Sequence, residues 1–110
     1  MKTIEKAGAQ GDILLRRVNS IPESATRRQA SGVLVLAHSE TGHHHECEEA
    51  VGELWDVDEL ISYLEVKADH ADIVHRRAWD THETVRIGRG IWEIRRQREY
   101  TPEGWRRVAD

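Results

Sequence analysis

Phenylalanine is missing from this chain, cysteine and methionine occur once each, and proline only twice. The lone Cys47 cannot close a disulfide within the chain, which excludes a disulfide-stapled scaffold and suits a reducing cytoplasm, the expected location. No apolar run approaches the ~20 residues that cross a bilayer as a helix. The opening MKTIEKAGAQGD lacks the hydrophobic stretch of a secretory signal, so neither a signal peptide nor a membrane partner is expected. Apolar residues make up only 38% of 110, against 33% charged. Such a length suits a single domain over 1–110, but the core is thin. An oligomer interface or a bound metal is the expected supplement.

The formal net charge of −4 conceals a polarity along the chain. Residues 1–45 carry six Lys/Arg against four Asp/Glu; residues 46–72 carry ten acids against Lys67 alone; residues 73–110 carry nine arginines against six acids. Complementary charged surfaces, on one fold or between subunits, are the ordinary explanation. The stretch RIGRGIWEIRRQREY sets Arg86, Arg89, Arg96 and Arg98 beside Trp92, which resembles an electrostatic track with one stacking ring. The interleaved Glu93 and Glu99 argue against it, so no tight nucleic-acid binding is expected.

Short strands account for most of the sequence. DILLRRV (12–18) precedes a loop containing Pro22; VLVLAH (33–38) is a continuous apolar run that suits a buried central strand. After the Thr41-Gly42 break, HHHECEE can return as its antiparallel hairpin partner. ELWDV and SYLEVKA form another candidate pair, with a helical turn at 57–61 as the alternative between them. DIVHRR and TVRI are strand-like, GRG (88–90) signals a tight turn, and IWEIRRQREY places Trp92, Ile94, Arg96, Arg98 and Tyr100 on one face. The pattern predicts an all-β fold of roughly seven to nine strands, a small β-barrel or two-sheet sandwich, cupin- or jelly-roll-like. Sheet edges and a small core together predict a homo-oligomer. Four tryptophans are many for this size; most belong to the core, while Trp79 in RRAWDT is a candidate anchor for a partner.

What the chain has in excess is histidine, four of its seven lying within HSETGHHHE (38–46). Alternate residues of a strand share a side, so His43 and His45 can converge on one ion while His44 faces away. His38, on the other arm of the hairpin, can reach the same face. Three imidazoles suit a divalent transition metal, most naturally Zn, with Fe, Mn or Ni as alternatives. His82 in DTHETV is the leading fourth ligand and His75 in DIVHRR the other candidate, while His70 is expected to be solvated. Cys47 continues the parity series, although a small buried residue is its more ordinary role.

His43-x-His45-x-x-x-Glu49 resembles the first metal motif of cupins. A wider resemblance rests on QGDILLRRV, IPE, VLAHSETGHHH, THETVRIGRGIWEIRRQREYTPE and RRVAD. These are similar to a family of small uncharacterised bacterial and phage proteins. Its members share a Gln-Gly-Asp start, an Ala-His-x-Glu-x-Thr-Gly-His-x-His-like centre and an Arg-Gln-x-Glu-Tyr end. The resemblance implies His38, His43, His45 and His82 as the matching histidines and treats His44 as variable. HRRAWDT, between His75 and His82, is longer than that pattern.

Two kinds of function follow. An ion with an open position would activate water in a mononuclear hydrolase or lyase, with Glu40 and Glu83 as general base or orienting partners. A closed site would instead make the protein a non-enzymatic, metal-stabilised structural or assembly module.

Overall fold

The computed structural model describes residues 1–38, 44–76, 81–101 and 104–107. In chain order the strands are β1 (Lys2–Ile4), β2 (Ala7–Gln10), β3 (Ile13–Val18), β4 (Thr26–Arg27), β5 (Val33–His38), β6 (His44–Glu48), β7 (Gly52–Asp56), β8 (Ile61–Arg76), β9 (Thr81–Arg96), β10 (Arg98–Thr101) and β11 (Gly104–Arg107). The all-β expectation holds: the one helical element among the described residues is a 3-10 turn at Glu49–Val51. No helix among them is long and apolar enough to cross a membrane.

Nine strands form one sheet, in the order β2-β3-β9-β8-β6-β5, with β7 also on β8, β4 on β7, and β1 parallel to β9. The sheet is open, so it is not a closed barrel. β10 and β11 form a separate antiparallel pair.

β8 and β9, sixteen residues each, are the backbone of the sheet, and here the structure corrects the short-strand reading. GRG does not turn the chain back. Val66 pairs with Gly90 and His70 with Gly88, so Lys67, Ala68 and Asp69 bulge opposite Arg89 while both strands continue. The bulge also switches parity. Val66 and Ala71 both face the core although five apart, as do Ile87 and Trp92. An odd spacing inverts a strand's faces unless a bulge absorbs it. Both strands switch at the same level, so one set of apolar side chains stays inward along the whole hairpin.

Gly90 makes this possible, with a φ of 137° in the region that L side chains avoid. A Cβ there would lie 2.4 Å from Nη1 of Arg17. That guanidinium donates to the carbonyl of Arg89 at 2.6 Å and lies 4.5 Å from the ring centre of the fully buried Trp92. Gly90→Ala is therefore expected to cost about 1–3 kcal/mol, through backbone strain and a displaced Arg17. A urea midpoint unchanged by the substitution would contradict this account of the bulge.

The core joins residues from every part of the sheet: Ile13 and Leu15, Leu34 and Leu36, Leu54, Leu64, Ile73, Ile87, Trp92 and Ile94 are all buried. β5 ends the strand order, so VLVLAH is an edge strand and not the central one its apolar run suggests. Leu34 and Leu36 are buried in the core, and arginines reach the backbone beside them. Arg28 donates to the carbonyl of Val35 while also pairing with Asp56, and Arg96 donates to the carbonyl of Leu36 at 3.0 Å and to that of Glu59. Side-chain donors thus occupy edge carbonyls that would otherwise invite another strand.

Candidate functional site

Where β6 meets β8 and β9, the ladder sets three histidines in one row. His45 is the register partner of His75, and His75 is the partner of His82. On the other side of β6, Ala37 pairs with His45 and His38 with His44. His44 is half-buried whereas His45 and His75 are fully buried, with their rings stacked at 3.9 Å between centroids and 14° between planes.

His45 is gripped from both ends by the β2–β3 turn. Gln10 pairs with Ile13 across a two-residue loop, Gly11-Asp12, whose glycine has a φ of 55°. Glycine at the first loop position is what tight hairpin turns of this kind require. The turn delivers Gln10 and Asp12, each 4% exposed, to the two ring nitrogens: Gln10 Oε1 lies 2.9 Å from Nδ1, and Asp12 Oδ1 lies 2.8 Å from Nε2.

The orientation of Gln10 is dictated by its other contacts. Its Nε2 donates to the carbonyls of Ile73 (2.8 Å) and Glu83 (3.1 Å), where the β8–β9 register slips between Ile73 and His75. Both amide protons are thereby committed to acceptors, leaving Oε1 to accept from His45, so Nδ1 carries a proton. The lone-pair position of Nε2 then faces a carboxylate oxygen at hydrogen-bond distance. Two acceptors 2.8 Å apart in a buried site share a proton, which a metal ion can replace only by spreading the pair.

The other expected site residues are distributed differently. His43 and Glu40 lie outside the described residues, as do the side chains of His38 and His82. Glu83 contributes its backbone carbonyl to Gln10, while its carboxylate is 60% exposed and 3.7 Å from the N-terminal ammonium. Glu49, the acid of the cupin-like motif, accepts from the backbone of Gly32 at 3.2 Å, away from His45. Cys47 is buried, as its ordinary role predicts. Burial and the neighbouring Glu46 and Glu48 push its thiol up to about 12, so it stays protonated at neutral pH. His70 is exposed, as expected. Among the described residues no three His, Cys, Asp or Glu side chains stand close enough to hold an ion. His45 and Asp12 form a two-donor fragment.

Gln10 and Asp12 carry no periodic signal of their own. The available clue was the Gln-Gly-Asp of the family resemblance, which marked the motif without giving it a role.

The model of one protein family, described as a domain of unknown function (DUF8820), matches residues 9–97. The match takes in Gln10, Asp12, His45 and His75 and stops before β10. No curated protein and no solved structure matches the chain.

Proposed function

We propose, from the premise that this chain belongs to the DUF8820 family and from the chemistry of its buried cluster, that the protein binds one divalent transition ion, most suitably Zn, as a staple between strands. The observation that supports this reading is the 2.8 Å approach of His45 Nε2 to Asp12 Oδ1, with Gln10 holding the opposite nitrogen protonated. An orienting hydrogen bond on the far nitrogen is what metal-ligating imidazoles ordinarily have. Donors bound to one Zn at ~2.0–2.1 Å in a tetrahedral set stand about 3.3 Å apart. Uptake would therefore part the pair by about half an ångström. His75 and His82 in the same row, and His43 by strand parity, are the residues proposed to complete the set; His38 drops out of the expected ligands, because the register pairs it with His44 and puts Ala37 beside His45. Asp12 joins the ligands the sequence suggested.

Full burial of His45 favours a closed structural site over an open catalytic one. In that arrangement the ion ties β3, β6 and the β8–β9 hairpin together and adds to the stability of a thin core. Glu40 and Glu83 would matter only to the enzymatic alternative.

Elemental analysis of untagged protein tests the reading. One equivalent of metal is expected, retained in His44→Ala and lost in His45→Ala and Asp12→Ala. No metal in the unsubstituted protein after incubation with Zn, or equal loss in all three variants, would overturn it. Metal-dependent turnover of esters, phosphates or carbon dioxide would shift the reading to an enzyme.

Ion pairing favours the proposal that nucleic acid is not a tight ligand. Arg86 is bidentate on Asp72, Arg89 meets Asp69 at 2.9 Å, and Arg28 meets Asp56. Arg16 and Arg95 flank Glu93. Burial pushes the Glu93 carboxyl up, but hydrogen bonds from Arg16 and Tyr63 and the nearby arginines hold it below its ordinary value, so it remains an anion beside them.

A further inference from the structure

β2 closes the strand order at the end away from β5, and among the described residues no strand pairs with its far edge. The ladder with β3 shows what that edge presents. Arg17 N–H donates to the carbonyl of Lys6 at 2.8 Å, and the register sets Ala7 opposite Arg16, Gly8 opposite Leu15 and Ala9 opposite Leu14. Antiparallel pairs exchange bonds at every second residue, so Gly8 bonds to Leu15 while Ala7 and Ala9 turn their N–H and C=O groups away from β3. Both alanines are exposed. Arginines occupy the edge carbonyls of β5, but β2 carries no charged side chain, proline or register shift to discourage a further strand.

Beside this edge, the outer face of β2, β3 and β9 holds a groove of about 610 Å³. Two rows cross it: Ala9, Leu14 and Arg95, then Ala7, Arg16 and Glu93. Leu14 is 42% exposed, one of few large apolar residues among those described that are left to water. Arg16 lies 3.2 Å and Arg95 3.6 Å from the carboxylate of Glu93, so two guanidiniums share one acid, and their side chains are 62% and 50% exposed. Next to the open edge, the first row therefore offers an apolar place and the second a cationic one.

We infer that β2 is a docking edge for an extended segment of another protein. The segment pairs antiparallel with Ala7 and Ala9, and turns toward the groove an apolar residue and, two positions later, an acidic one. Main-chain bonds supply affinity in such strand additions, and alternate side chains supply the choice of partner. The apolar residue stands opposite Ala9 and reaches Leu14 across it; the acid stands opposite Ala7 and reaches Arg16. The added strand lies two strand spacings, about 10 Å, from β3. Alanine leaves that gap free for longer side chains from both sides to close. A second copy of β2 fits less well, since it would set alanine against alanine, fill neither place and bring no acid to the arginines. Docking needs no metal, and its test alters no proposed metal ligand.

The probe is the peptide acetyl-Thr-Thr-Leu-Thr-Glu-Thr-amide, added to the full chain at low salt and followed by amide chemical shifts and hydrogen exchange. It should bind. The isomer acetyl-Thr-Thr-Leu-Glu-Thr-Thr-amide puts leucine and glutamate on opposite sides of a strand. That isomer, and the peptide with lysine in place of glutamate, should each bind at least about tenfold more weakly. Arg16→Glu should reverse the preference between the glutamate and lysine peptides, a reversal only a folded protein can show. With free peptide at about ten times Kd, exchange at Ala7 and Ala9 should slow about tenfold, while Gly8, already paired with Leu15, changes little. No shift at millimolar glutamate peptide, equal binding of the isomer, or an unreversed preference in Arg16→Glu would each overturn the inference. So would binding that leaves the Ala7 and Ala9 amides unprotected. A peptide-free dimer with those amides already protected would overturn it too, because the occupant would then be a second copy.

Discussion

Asp12→Ala is expected to lower the unfolding free energy by about 3–5 kcal/mol, read from urea denaturation at neutral pH. The substitution removes the oxygen 2.8 Å from Nε2 of a histidine with no exposed surface. Whatever positive centre the two atoms share then loses its anion inside the protein, where water cannot replace it. Asp12→Asn keeps the shape and can donate to Nε2, so its cost should be nearer 1–2 kcal/mol. His45→Leu combined with Asp12→Leu should cost less than the two single changes summed, because each single change strands the other's partner. Comparing EDTA-treated with Zn-loaded protein separates the two candidate centres. A metal bridge makes the cost of Asp12→Ala shrink in EDTA, whereas a proton bridge leaves it unchanged. A loss below about 1 kcal/mol in both conditions would show that the pair does not hold the sheet together.

The contrast between His44 and His45 was legible from strand parity, because alternation of faces is a property of the backbone; His43, the third of the triplet, lies outside the described residues. His44 is half-buried and His45 fully buried, as a period of two requires. Two hairpins were equally legible, β5 with β6 and β7 with β8, since each alternates or runs apolar between clear breaks. Trp92, Ile94 and Arg96 share the inward face for the same reason.

What sequence patterns could not supply was anything that depends on a distant strand. KADHAD looks like a polar turn and GRG like a glycine turn, yet each is the other's partner across one bulge. A turn and a bulge use the same residues, and only the facing strand distinguishes them. VLVLAH looks central because it is apolar on both sides, yet it ends the strand order, with Leu34 and Leu36 in the core, Val33 exposed, and arginines from elsewhere in the chain bonded to its Val35 and Leu36 carbonyls. Gln10 and Asp12 reach a histidine more than thirty positions away through a turn whose local sequence predicts only a turn. Polar residues flanking a glycine normally face water. Their burial here follows from the tertiary position of the hairpin.

Gln10 tests whether the cluster is a set of contacts or one unit. Its side chain touches three strands at once: the carbonyl of Ile73 on β8, the carbonyl of Glu83 on β9, and the ring of His45 on β6. Gln10→Met, close in length but without donors or a strong acceptor, is expected to cost about 2–4 kcal/mol, since each buried polar group deprived of its partner carries a desolvation penalty. Gln10→Glu should cost more at neutral pH, although it is the smaller chemical change. A carboxylate still accepts from Nδ1, but it turns an oxygen toward two carbonyls to which the amide had donated. Amide exchange should quicken around Ile73–His75 and Glu83 in both variants before it does so in β3, because the register slip loses its filling first. If the imidazole is a ligand, Gln10→Met should also weaken Zn binding about 10–100-fold by releasing the ring's orientation. Stability within about 0.5 kcal/mol of the unsubstituted protein, the range of an ordinary surface change, would mean that the clamp is incidental. Stability loss without any change in Zn affinity would leave the clamp structural and remove the metal from this position.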